Sequence, residues 1–230
     1  MSNLDTFKKV KEAGIIPAIR TSNAFDATRA VEAIRLGGIP VIEVSLASKK
    51  AFDVLNAVVA SHGQSVLIGA GTVIDAEQVR QAALAGVQFI VTPGFSSEAV
   101  KKSKELGLAV FAGAMTPTEV QLASASGADA VKLFPCYATG GARYVKSLRG
   151  QYPDIEFIAS GGVGLDNCAD YIRAGACAIG VGGEIADFET MTIGDHRVFT
   201  VRTKRLREAV RKAREWMAES RLTLNVGESR

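Results

Sequence analysis

The chain has 230 residues, 47% hydrophobic and 22% charged, and a formal net charge of +3. It is long enough for one barrel-sized domain, and its charge calls for no nucleic-acid or anionic-membrane partner. Three cysteines, Cys136, Cys168 and Cys177, without CxxC spacing argue against a zinc site or disulfide scaffold and suit a reducing cytoplasm; two histidines, His62 and His196, leave little material for a metal site.

Taken in order, the chain opens with a helical pattern at 3–13 that lacks the apolar core of a signal peptide. An apolar strand follows at 14–20 (GIIPAIR), then a helix at 24–36, with Asn23 or Ala24 at its start and Ala27, Ala30, Val31 and Ile34 on one face. Further strands read 39–46, 65–72, 89–93, 109–114, 130–135, 157–163 and 178–183. Helical patterns fill the gaps. The one at 116–125 begins with Thr116, Pro117 and Glu119, a capping box with proline at the first helical position. Another starts from Asp166 and spans 166–174.

Helix ends recur at glycines: Gly37-Gly38, Gly86, Gly107, Gly127 and Gly175, each followed closely by a strand. The unit length is roughly one strand, one helix and two short loops. Eight apolar strands alternating with helices predict a parallel sheet covered by helices, and a closed (β/α)8 TIM barrel fits that count. A doubly wound open sheet is the alternative, but no GxGxxG follows the first strand. The 3–13 helix would cap the barrel bottom. A basic segment at 198–219, with Val198, Val201, Leu206, Val210 and Met217 at near-helical spacing and Glu208, Glu215 and Glu219 interleaved, reads as an outer amphipathic helix. Residues 1–222 are expected to be one domain and 223–230 a polar tail. No run of about 18 apolar residues suggests a membrane span.

The stretch Ala130-Val131-Lys132-Leu133-Phe134-Pro135 places a lysine inside a buried strand. Burial disfavours the charged form of an amine, and the free amine is the nucleophile that attacks carbonyls. A lysine paired with a core carboxylate is the structural alternative. Strand alternation arbitrates. Ile16, Ala18 and Arg20 share one side of strand 1; Val41, Glu43 and Ser45 one side of strand 2; Ile68, Ala70 and Thr72 one side of strand 3; Ala130, Lys132 and Phe134 one side of strand 6. Arg20, Glu43, Thr72 and Lys132 are thus expected inside the barrel near its C-terminal mouth, where barrel active sites form. Two cations, one carboxylate and a hydroxyl exceed what a structural ion pair needs. Ser160, Gly161 and Gly162, with Gly182 and Gly183, end strands 7 and 8, where backbone N–H groups often bind phosphate; glycine at such turns also has purely steric uses.

In order and spacing, VIEVSL, GAGTV, IVTPG, VKLFP and SGGV resemble the 2-keto-3-deoxy-6-phosphogluconate (KDPG) and 2-keto-4-hydroxyglutarate (KHG) aldolases over about 14–183. The resemblance implies a class I aldolase of carbohydrate metabolism, of the Entner–Doudoroff type, that forms pyruvate and an aldehyde. It implies no metal or organic cofactor, small-molecule keto acid and aldehyde substrates, and a homotrimer. It makes Lys132 the Schiff-base lysine and Glu43 the general acid/base. Thr72 and Arg20 become carboxylate contacts, and Pro93 a packing residue of the site. Ser160, Gly161, Gly162, Gly182 and Gly183 border the end that takes the phosphate. Three positions depart from the family pattern: Ala47 replaces an arginine, Ser160 a threonine, and Glu184 follows Gly183 where a serine is usual. The alternatives are an aldolase for unphosphorylated substrates and a non-catalytic barrel that binds keto acids. A metal-dependent barrel enzyme would want histidine ligands at strand ends, where His62 and His196 do not fall.

Overall fold

The computed structural model describes residues 2–187 and 195–227. Helix α1 (Asn3–Ala13) starts from a capping box between Ser2 and Asp5 and leads into β1 (Ile15–Ile19). There follow α2 (Ala24–Leu36), β2 (Val41–Ser45), α3 (Ala51–His62), β3 (Leu67–Gly71), α4 (Ala76–Ala85), β4 (Phe89–Val91), α5 (Ser97–Glu105) and β5 (Ala109–Ala114). The chain continues through α6 (Pro117–Ala125), β6 (Ala130–Leu133), a 3-10 turn (Cys136–Thr139), α7 (Ala142–Gln151), β7 (Phe157–Ser160), α8 (Cys168–Arg173) and β8 (Ala178–Val181). A last helix, α9, spans Arg197–Gly227. The eight strands are parallel, pair in chain order and close β8 onto β1, which is the expected (β/α)8 barrel. The five glycine junctions singled out in the sequence each carry a left-handed glycine, at Gly38, Gly86, Gly107, Gly127 and Gly175, whereas α3 ends at a right-handed Gly63 and α7 at Tyr152.

Register fixes what points inward, because paired residues of parallel strands face the same side. Ala18 lies opposite Glu43, Glu43 opposite Gly69, and Gly69 opposite Phe89. Gly113 lies opposite Lys132, Lys132 opposite Ile158, Ser160 opposite Gly180, and Gly180 opposite Ile16. The expected sides hold for strands 1, 2 and 6. In strand 3 they do not: Gly69 and Gly71 face the interior, and Ile68 and Ala70 face the helices. Large groups use the room. The Phe89 ring occupies the space a side chain at Gly69 would take, and the Glu43 carboxylate that at Gly71. The backbone of Pro93 and Gly94 does the same at Gly113.

The lower interior is aromatic. Phe89 and Phe111 pack with ring centroids 5.3 Å apart, and Phe7 of α1 closes the bottom 5.9 Å from Phe111. Full burial of each such ring is worth about 1.5–3 kcal/mol. The capping role expected of 3–13 is filled by Phe7 together with the buried Thr6 and Val10.

Helix α9 departs from expectation in face and length. Phe199, Thr203, Leu206, Val210 and Ala213 form its buried stripe, whereas Val201 is exposed. Its outer face is solvated, with Arg211 paired to Glu208 and Glu215. Residues 223–227 of the expected tail belong to this helix, and 228–230 lie outside the described residues. Arg214 donates to the carbonyls of Lys11 (2.6 Å), Glu12 (2.8 Å) and Cys177 (2.9 Å), tying α9 to the end of α1 and to the approach to β8. No described helix is long and apolar enough to cross a membrane.

Candidate active site

A cleft of about 790 Å³ opens at the C-terminal ends of the strands. Arg20, Glu43, Thr72, Pro93, Lys132, Ser160, Gly161, Gly162, Gly182 and Gly183 all line it, so the ten positions singled out in the sequence come together. Lys132 is held mid-strand between β5 and β7, its residue 8% exposed, and Glu43 is 5% exposed. The Lys132 Nζ stands 3.9 Å from Glu43 Oε1 and 5.1 Å from the centre of the Phe134 ring. That separation permits charge attraction but exceeds a direct hydrogen bond, leaving room for one small bridging group between them.

The Glu43 carboxylate owes its position to Gly71, as any side chain there would displace it. Thr72 reaches the cleft by a local device. Alternation along β3 would send it toward the helices, yet its φ of 43° puts it in the left-handed region and turns it into the mouth. A β-branched residue holds that conformation at a cost of about 1–3 kcal/mol. Its Oγ1 lies 3.5 Å from Ser45 Oγ. Pro93 follows Thr92, whose buried hydroxyl accepts from the Gly113 N–H at 2.8 Å and locks β4 to β5. Arg20 sits past the end of β1 and is exposed at the rim.

The strand 7 and strand 8 glycines divide in role. Gly161 and Gly162 have φ of 85° and 69°. A Cβ on Gly161 would stand 2.9 Å from Pro135 Cα, and one on Gly162 2.8 Å from Tyr137 Cβ, so this loop packs against the segment after Lys132. Gly182 and Gly183 are exposed, and a Cβ on either would meet nothing within 4 Å. The Ser160 Oγ fills the space over Gly180, 2.7 Å from where a Cβ there would lie. Asn167 precedes α8, which starts at Cys168 rather than at Asp166. Its side chain is committed to the loop, donating to the Gly162 carbonyl (2.8 Å) and accepting from the Gly164 N–H (2.9 Å).

Several lining residues were not singled out in the sequence. Ser45 and Phe134 were on the correct strand sides and lacked only a reason to be chosen. Asp166, Asn167 and Asp187 lie in loops, where alternation gives no guidance. Cys136, next to this strand, is buried and its thiol is pushed up to about 11 by desolvation, which fits a packing role. His62 lies 3.5 Å from Glu32, and His196 packs edge-on against Phe199; neither lines the cleft. Among the described residues no three His, Cys, Asp or Glu side chains gather as a metal site would require.

Residues 7–201 match the KDPG and KHG aldolase family. A 2-dehydro-3-deoxy-phosphogluconate aldolase of Haemophilus influenzae is 35% identical over 165 residues, 72% of this chain and 77% of that one. A 2-dehydro-3-deoxy-6-phosphogalactonate aldolase of Escherichia coli is 37% identical over 172 residues, 74% and 83% of the two chains. A crystal structure of KDPG aldolase from Legionella pneumophila, with pyruvate captured as a covalent carbinolamine, superposes with a TM-score of 0.82 at 26% identity, covering 87% of this chain and 97% of that one.

Proposed function

Because this chain belongs to the KDPG and KHG aldolase family, and is thus an aldolase and a lyase, we propose that it works through a Schiff base on Lys132. The substrate is a 2-keto-3-deoxy sugar acid or 2-keto-4-hydroxyglutarate, cleaved reversibly to pyruvate and an aldehyde. The observation that carries the reading is the buried Lys132 Nζ 3.9 Å from Glu43 Oε1 at the floor of an open cleft. The carbinolamine in the Legionella relative supports it.

The amine of Lys132 attacks the C2 ketone, and loss of water gives an iminium ion. Glu43, directly or through one water, takes the proton of the C4 hydroxyl while the C3–C4 bond breaks and its electron pair moves into the iminium. The aldehyde leaves. The resulting enamine is protonated at C3, and hydrolysis frees pyruvate and the lysine. The iminium is itself the electron sink, so the chemistry calls for no metal or organic cofactor. Arg20 and Thr72 hold the carboxylate of the keto acid, and Pro93 packs beside it. Ser160, Gly161, Gly162, Gly182 and Gly183 border the remainder of the substrate. Borohydride added with pyruvate is expected to fix a covalent adduct that peptide mapping locates on Lys132; an unmodified Lys132 would refute the mechanism.

The glycine behind the acid gives a second check. Gly71→Ala is expected to displace the Glu43 carboxylate and lower turnover about 10²-fold, the cost of an ångström-scale misplacement. Overpacking should remove about 1–3 kcal/mol of stability in urea. Unchanged kinetics would mean that Glu43 has no positional role.

The protein is further proposed to be a cytoplasmic homotrimer. Support comes from its buried unpaired thiols, from the family resemblance, and from large apolar side chains left exposed, with Leu84 at 87%. Light scattering is expected to give three times the chain mass of 24.2 kDa, and a monomer at micromolar concentration would contradict it.

A further inference from the structure

We infer that Glu184 sets the cleft against a phosphorylated tail, so that the aldehyde half of the substrate is neutral and hydroxyl-bearing. The inference rests on the aldolase reading above. Its ground is the distribution of charge along the cleft. The cationic side chains in the lining are Lys132 and Arg20. The first makes the Schiff base. The second stands just past the end of β1 and forms no ion pair with Glu184. One guanidinium cannot both hold the keto acid's carboxylate and offset a dianion.

The wall formed by the loops after β7 and β8 carries Asp166, Glu184 and Asp187, and no lysine or arginine among the described lining residues. Residues 188–194, outside the described residues, contain no lysine or arginine in sequence. Asp187 is paired with Arg202. Glu184 has no such partner among the described residues. Its carboxyl carbon lies 2.7 Å from where a Cβ on Gly164 would stand, so the head group leans from one loop across to the other. The Gly164 N–H below it already donates to Asn167. Backbone N–H groups of the glycine loops could still face a phosphate dianion at this wall, but it would also meet the Glu184 carboxylate with no lining lysine or arginine among the described residues to offset that charge. A sugar hydroxyl instead donates to the Glu184 carboxylate and keeps its hydrogen bonding.

The test compares 2-keto-3-deoxygluconate with its 6-phosphate as substrates of the full chain, pyruvate release being followed at constant ionic strength. The wild type is expected to show a kcat/KM at least about tenfold higher for the unphosphorylated acid. Glu184→Gln and Glu184→Ser are expected to shift that ratio about tenfold toward the phosphate. Equal or better use of the 6-phosphate, a ratio unmoved in both variants, or no turnover of either compound overturns the inference. Borohydride trapping with pyruvate is run beside it. An adduct on Lys132 together with an overturned ratio condemns only the specificity, whereas absence of the adduct brings down the aldolase reading as well.

Discussion

Lys132→Met is expected to lower pyruvate release about 10⁴-fold or more, the scale seen when a covalent nucleophile is removed. It should also abolish the borohydride-stable adduct. Methionine nearly matches the shape of the lysine stem, so packing between Gly113 and Ile158 survives. The electrostatic balance does not, since Glu43 is left 5% exposed without the cation 3.9 Å away. Removing one partner of a buried pair is destabilising, so the variant should also melt at lower temperature. The double variant Lys132→Met, Glu43→Gln separates the two effects: stability returns and turnover does not. A single variant that retains turnover, or a double variant that regains it, rules out Lys132 as the nucleophile.

Glu43→Gln alone should lower kcat by about 10²–10⁴-fold, the range for loss of a positioned acid or base. The amide keeps the shape that fits against Gly71, so KM is expected to move little, while the loss of the charge beside Lys132 should lower the melting temperature as in Lys132→Met. Lys132 remains, so pyruvate still forms the trapped adduct. Exchange of pyruvate methyl protons with deuterated solvent should slow in step with kcat, because the same group serves C3 and C4. Turnover within twofold of wild type would remove Glu43 from the proton path. Loss of the adduct in this variant would instead assign it to Schiff-base formation.

Most of the barrel was legible because its determinants are local. Helix ends at glycine, the Thr116–Glu119 capping box and eight apolar strands each follow from short-range chemistry, and all three are present. The meeting of Lys132 with Glu43 followed from alternation within two regular strands. Strand 3 shows where that logic stops. Counting back from Thr72 put Ile68 and Ala70 inside, whereas the turn to φ 43° at Thr72 breaks the alternation and leaves glycines inside. A left-handed threonine leaves no trace in composition. Gly69 and Gly71 did carry a signal, since residues without side chains suit a place already filled by Phe89 and Glu43. On α9, Phe199 displaced Val201 from the buried face because the packing partners, α2 and α8, are distant in sequence. The loop residues Asp166, Asn167 and Asp187 follow no period that a pattern could reveal.

Arg214 bears on how the molecule is made. Its three backbone acceptors lie at positions 11, 12 and 177, on either side of the seam where β8 meets β1. During synthesis the first half of the barrel leaves the ribosome with an unpaired strand edge, and it stays that way until β8 arrives. The residue that clasps the seam comes later still, in the helix that follows β8. A nascent chain therefore holds its Lys132 and Glu43 strands before anything secures the wall opposite them, and the seam is clasped only once α9 has followed β8.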